Sequence, residues 1–147
     1  MRRHIALAFV AFGIWVLTVL GLSFNVQAAG QGFDGTWTVK HECKKAPDGA
    51  LPFAYNYIAN VSAGSMDGQY TVPGVNGGTF HIHGPINPDG TGNLTMNGVT
   101  GQTEYNVGHL SPGVPFSYRI RAKFTTSGGS GRRTDGKRHC DFTFVRR

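Results

Sequence analysis

The chain has 147 residues, among them 22 glycines and 7 prolines, with only 15% charged residues and 12% aromatics. That mixture, with no amphipathic helical period after residue 30, excludes a helical bundle and points to short apolar strands between many turns. Fourteen basic against eight acidic residues give a formal net charge of +6, so an anionic partner is open, and the length allows one modest core.

Residues 1–28 read as a signal peptide. Arg2 and Arg3 precede an apolar run over residues 5–22, and Val26 and Ala28 supply the small side chains of a processing site after Ala28. The alternative is an anchor formed by residues 5–22. Residues 29–147 then form a single β domain, exported to the periplasm or secreted.

The first strand is expected over residues 33–43, where Trp37, Val39, His41 and Cys43 alternate onto one face. A turn at 44–50 leads to a second strand over 52–62, with Phe53, Tyr55, Tyr57, Ala59 and Val61 inward. A short third strand covers 69–72 and a fourth 78–86, with Phe80, Ile82 and Ile86 inward and His81 and His83 outward. The turn Asn87-Pro88-Asp89-Gly90 joins it to a fifth strand over 93–99, in which Leu94 and Met96 face in. Residues 102–107 read as a short sixth strand. A seventh over 115–125 buries Phe116, Tyr118, Ile120, Ala122 and Phe124, and the last, over 137–146, turns Cys140, Phe142 and Phe144 inward. The sum is an all-β fold, a small antiparallel meander barrel or sandwich of about eight short strands. Cys43 and Cys140 are the only cysteines. In an exported chain they are expected to form a disulfide linking the first and last strands, which favours closure of the sheet.

Charge is divided unevenly along the chain. Residues 29–118 hold three basic and six acidic side chains, whereas 119–147 hold nine basic and two acidic. Arg119, Arg121 and Lys123 on one strand, with Arg132, Arg133, Lys137 and Arg138 about the tip of the last hairpin, are therefore the candidate anion- or partner-binding set. An acidic protein, a glycan or a membrane surface would suit them, or they serve only as a solubilising face. Nucleic acid is not expected, because no nucleic-acid motif is present. Gly131 to Arg138 spells G-x-x-x-x-G-K-R, but Arg138 stands where Mg²⁺ needs a hydroxyl and no helix follows, so it reads as a flexible hairpin tip instead of a phosphate loop. His81-x-His83 has the spacing of a strand metal site but lacks a local third ligand. No nucleophile elbow or carboxylate pair stands out, and no catalytic residue or cofactor is implied. Asn60-Val61-Ser62 and Asn93-Leu94-Thr95 match the glycosylation pattern, which bears only on a eukaryotic source.

The start Phe33-Asp34-Gly35-Thr36-Trp37, the turn Pro88-Asp89-Gly90, the segment Gly98-Val99-Thr100-Gly101 with Tyr105-Asn106-Val107-Gly108, and the end Cys140-Asp141-Phe142-Thr143-Phe144-Val145 together resemble a family of small exported bacterial β domains without an assigned activity. Gly35-Thr36-Trp37 with the late Arg146 is also similar to the calycin barrels, the lipocalin and avidin group, and the size suits a small barrel of the bacterial protease-inhibitor type. The first resemblance carries over no activity; with the charge distribution it leaves the expectation of a monomeric or weakly associating, non-enzymatic binding or envelope-associated module acting through the basic hairpin. The second implies a carrier whose aromatic inner face, Trp37, Tyr55, Tyr57, Phe116 and Tyr118, lines a pocket for a small apolar ligand. The same rings would otherwise simply fill a small barrel.

Overall fold

The computed structural model describes residues 31–147 with the exception of Val75; the expected signal peptide or anchor lies outside the described residues. A 3₁₀ turn, Gln31–Phe33, precedes eight strands: β1 Gly35–Cys43, β2 Phe53–Ser62, β3 Ser65–Thr71, β4 Thr79–Pro85, β5 Thr91–Val99, β6 Pro115–Phe124, β7 Gly128–Arg133 and β8 Cys140–Arg146. Each pairs antiparallel with the next and β8 returns to β1, so the sheet is a closed meander barrel with no free edge. Alternation along each strand puts one face inside; Trp37, Val39, His41 and Cys43 of β1 are all buried. Cys43 and Cys140 are register partners across the β1–β8 seam and form a disulfide spanning 97 residues. Such a bond suggests an oxidising environment outside the cytosol. Among the described residues no helix is long and apolar enough to cross a membrane.

An up-and-down barrel sends alternate connections to opposite ends. At one end they are tight: residues 63–64, 86–90 and 125–127. This end is plugged. Phe33 and Trp37 pack on Phe124 at 6.3 and 5.6 Å between ring centroids, and Phe124 lies 4.7 Å from Phe144. The indole Nε1–H of Trp37 donates to the Phe33 carbonyl at 2.9 Å, so its polar atom is satisfied inside the core. Asp34 accepts the amides of Ala63 and Gly64, both at 3.0 Å, and thereby caps the β2–β3 turn. Gly35 adopts φ +135°, and a Cβ there would stand 3.3 Å from Arg146 Nε. Arg146, register partner of Trp37, donates to the carbonyls of Asp34, Gly32 and Thr126. Each residue of the Phe33-Asp34-Gly35-Thr36-Trp37 start except the outward Thr36 thus closes this end of the barrel.

Several sequence expectations are corrected, the third strand among them, since β3 spans Ser65–Thr71 and not only 69–72. Residues 102–107 are not a strand: they lie in a connection containing two 3₁₀ turns, Thr103–Tyr105 and Val107–His109, separated by Asn106, the second kinked at Gly108 with φ +75°. The supposed flexible tip, Gly131 to Arg138, begins instead within β7, which pairs with β6 on one side and β8 on the other. β8 correspondingly begins at Cys140 and not at residue 137.

Candidate functional site

The opposite end of the barrel is built from the longer connections, residues 44–52, 72–78, 100–114 and 134–139. Connections of the length of 100–114 without a strand of their own are uncommon in compact domains and often carry function. This one is held in a defined shape. The Thr100 hydroxyl donates to the Ser111 carbonyl at 2.6 Å and accepts the Val114 amide at 2.9 Å, and the Asn106 side-chain amide donates to the carbonyls of Gly101 and Leu110. Asp48 of the first connection accepts the Gly108 amide. This hydrogen bond, with a second from the Ala50 amide, holds the Asp48 carboxyl below the usual range.

Between these connections and the barrel wall lies a cavity of about 380 Å³, within the range of about 300–1,000 Å³ typical of small-molecule sites. Its wall is aromatic. Phe53 and Tyr55 of β2, Phe80 of β4, and Phe116 and Tyr118 of β6 line it, with Tyr105, Val107 and Leu110 at the rim. Neighbouring rings stand 5.0 to 5.9 Å apart: Phe53–Tyr55 at 5.0, Tyr55–Phe80 at 5.6, Phe80–Phe116 at 5.7 and Phe116–Tyr118 at 5.9 Å. They are inward positions of their strands, and all but Tyr118 are only partly buried where they face the cavity.

Cations join the rings. Arg133 is the last residue of β7 and, by alternation with the outward Arg132, turns into the mouth; its guanidinium lies 4.1 Å above the Tyr118 ring. Arg133 Nε and Nη2 donate to the two Asp135 carboxylate oxygens, each at 2.6 Å. Burial works to raise the pKa of Asp135, but the hydrogen bonds and charge of Arg133 outweigh it and hold the carboxyl below its usual range. Arg138 is 4% exposed and lies 4.8 Å over the Phe53 ring. It donates to the carbonyls of Lys44, Tyr105 and Leu51, joining three connections at the mouth, and its burial lowers its pKa. Lys137 is exposed at the rim.

His41 lies beneath Tyr118. Its Nε2 stands 3.2 Å from the Tyr118 hydroxyl and 3.2 Å from Cys43 Sγ, while its ring stacks on Phe142 at 4.4 Å. Burial first, then the charges of Arg133 and Arg138, lower its pKa to about 3, so the imidazole is neutral at ordinary pH. Burial likewise raises the pKa of Tyr118. His41, Cys43 and Cys140 bring a nitrogen and two sulfurs together, but the disulfide engages both sulfurs.

The candidate residues read from the sequence are therefore redistributed. Tyr55, Phe116 and Tyr118 line the cavity, whereas Trp37 plugs the far end and Tyr57 is buried away from the cavity wall. The seven basic residues do not make one tongue. Arg119, Arg121, Lys123 and Arg132 occupy the outer face; Arg133 and Arg138 turn into the mouth and Lys137 borders it. The outer group flanks a shallow depression over β6, β7 and β8, where Arg132 pairs with Asp141 at 3.2 Å and Lys123 donates to the Asp89 carbonyl. Among the described residues no carboxylate pairs with Arg119 or Arg121. His81 and His83 do share an outer face, with rings 4.7 Å apart, but His81 Nε2 contacts Asp67 and His83 Nε2 contacts Asn97. The sequence reading left out Asp135 and the residue 100–114 rim; the length of that segment was the available signal for the rim.

The chain matches no family model, no curated protein and no solved structure.

Proposed function

We propose that this protein is an exported, calycin-like binding protein that carries a small ligand in the mouth of its barrel. The observation that supports this reading is the aromatic-walled cavity at one end of a barrel whose other end is filled. A domain needing only a core would gain about 25 cal/mol for each Å² of ring it covered. Here five inward rings of β2, β4 and β6 border open space instead. The fold also offers the ligand rigid walls, since the rings stand on paired strands joined into a closed sheet. Removal of the first 28 residues and release into the periplasm or medium complete the reading, and the disulfide is consistent with that destination.

Native mass spectrometry of protein purified from its own source tests this. A stoichiometric small-molecule adduct that is lost on unfolding, and reduced in Phe116→Trp, is the expected result. Recovery of adduct-free protein together with no binding of apolar fluorescent probes would end the carrier reading.

A second reading keeps the outer basic face as a contact surface for an acidic protein, glycan or membrane. Its support is the row of Arg119, Arg121 and Lys123 on β6, two of which lack a carboxylate partner among the described residues. Reversal of these three charges should abolish salt-sensitive sedimentation with anionic vesicles; unchanged sedimentation removes this surface from consideration.

A further inference from the structure

The polar groups of the cavity restrict what it can hold. Its lining contains three cations, Arg133, Lys137 and Arg138, and one carboxylate, Asp135. Arg138 is already committed, with all three guanidinium nitrogens on carbonyls of the surrounding connections. Arg133 differs. Its partner is a carboxylate only two residues away, set in the turn that crosses the mouth, where Gly136 adopts φ +72°. The guanidinium is fixed from below by the Tyr118 ring and its fork presents paired N–H donors, the geometry that recognises carboxylate, sulfonate or phosphate. The Asp135 side chain is 26% exposed, against 11% for Arg133, so the anion lies on the solvent side of the pair.

We propose that the ligand carries an anionic group on a planar apolar body, and that this group pairs with Arg133 and Lys137 in place of Asp135. The inference rests on the carrier reading. In the unliganded protein Asp135 acts as a resident counter-ion that keeps the cavity's guanidinium paired. The incoming anion displaces it, while the apolar body stacks among Phe53, Tyr55, Phe80 and Phe116. Asp135 thereby weakens binding of every anionic ligand and leaves neutral ones unaffected, so its removal separates the two classes.

Two fluorescent probes of similar shape test the point with the purified protein: 1-anilinonaphthalene-8-sulfonate, which is anionic, and N-phenyl-1-naphthylamine, which is neutral. The sulfonate should bind at one site about tenfold or more tighter than the amine, the scale of one charge-assisted contact. Asp135→Asn should tighten the sulfonate by about tenfold and leave the amine unchanged, and Lys137→Gln should weaken only the sulfonate. Thermal melts establish that each variant is folded, and Lys137→Gln at the exposed rim serves if Asp135→Asn is not. Equal affinity for the two probes, or a sulfonate affinity indifferent to both substitutions, overturns the anionic assignment while leaving a ligand cavity in place. A loss of sulfonate binding in Arg121→Gln as large as in Lys137→Gln overturns it too, since the probe would then be reporting the outer basic face. If neither probe binds, or Phe116→Trp affects neither, the carrier reading itself fails.

Discussion

Between pH 7.5 and 4.5 the buried imidazole of His41 should make the barrel progressively less stable. Folded His41 remains neutral down to about pH 3, whereas the unfolded side chain takes up a proton near its ordinary value of 6.5. Throughout that interval the unfolded state binds more protons, so stability falls as pH drops below 6.5 and the loss levels off near 3. One pH unit corresponds to about 1.4 kcal/mol, which makes the loss at pH 4.5 about 2.7 kcal/mol. The carboxyls held low by hydrogen bonds, Asp48, Asp89, Asp135 and Asp141, contribute stability that disappears only at lower pH. His41→Phe is the informative variant. Its ring replaces one that already stacks on Phe142 and meets Phe53 and Phe80 edge-on, although the Tyr118 hydroxyl loses a neighbour and the variant starts from a lower baseline. Urea unfolding followed by circular dichroism, at constant ionic strength and with the disulfide intact, gives the free energy at each pH. The wild type should lose about 2.7 kcal/mol across the interval and the variant clearly less. Parallel curves would show that His41 is not the group responsible, and a His41 imidazole resonance, assigned by its loss in His41→Phe, that titrates above pH 5 in the folded protein would refute its burial.

Cys43→Ser with Cys140→Ser should lower stability by up to about 4 to 5 kcal/mol, the loop-closure value for a span this long, read as a fall in melting temperature. Because both cysteines are buried, a thiol reductant should break the bond at the rate of unfolding instead of the rate of direct attack; immediate reduction under native conditions would contradict this. Arg138→Lys should keep the charge but lose the fork that joins three carbonyls, giving faster amide exchange in residues 100–114 and weaker probe binding with little change at the plugged end. Unchanged exchange in residues 100–114 would show that the rim does not depend on Arg138.

The meander was legible because most of its strands are half-buried, and a half-buried strand writes its inside and outside in alternate letters. β2 and β6 show this best, with rings or aliphatics at every second position and Asn, Arg or Lys between them on much of their length. β7 carries no such pattern. Its inward positions before Arg133 are Gly129 and Gly131, and a Cβ on Gly129 would come within 2.9 Å of Phe124 Cδ1, while one on Gly131 would meet Ala122 and Ile120 at 3.1 Å. The space inside β7 is filled from its neighbours, so a barrel strand presents itself in sequence as a glycine-rich tip. The segment at 102–107 errs the other way: a brief mixture of polar and apolar residues resembles alternation, but no strand pairs with it.

The missing pattern in β7 also hides the division of the cations. Along the sequence Arg132 and Arg133 are adjacent and look like parts of one basic surface; in a strand adjacent side chains face opposite sides. Without β7 there was no parity to assign, and the division of the basic residues into an outer face and a mouth could not be drawn. The segments at residues 33–37 and 140–146 direct attention to the plugged end, where the Trp37 indole donates to the Phe33 carbonyl and Arg146 donates to the Asp34 carbonyl. Such residues report how the barrel is closed. On the proposed carrier reading, ligand choice would fall to the other end, where closure is left to long connections that few strong local preferences shape, and where Asp135 and Arg133 meet at the end of β7. In a small barrel of this kind the segments least patterned in sequence are the ones free to vary with the ligand, since the strands beneath them already satisfy the fold.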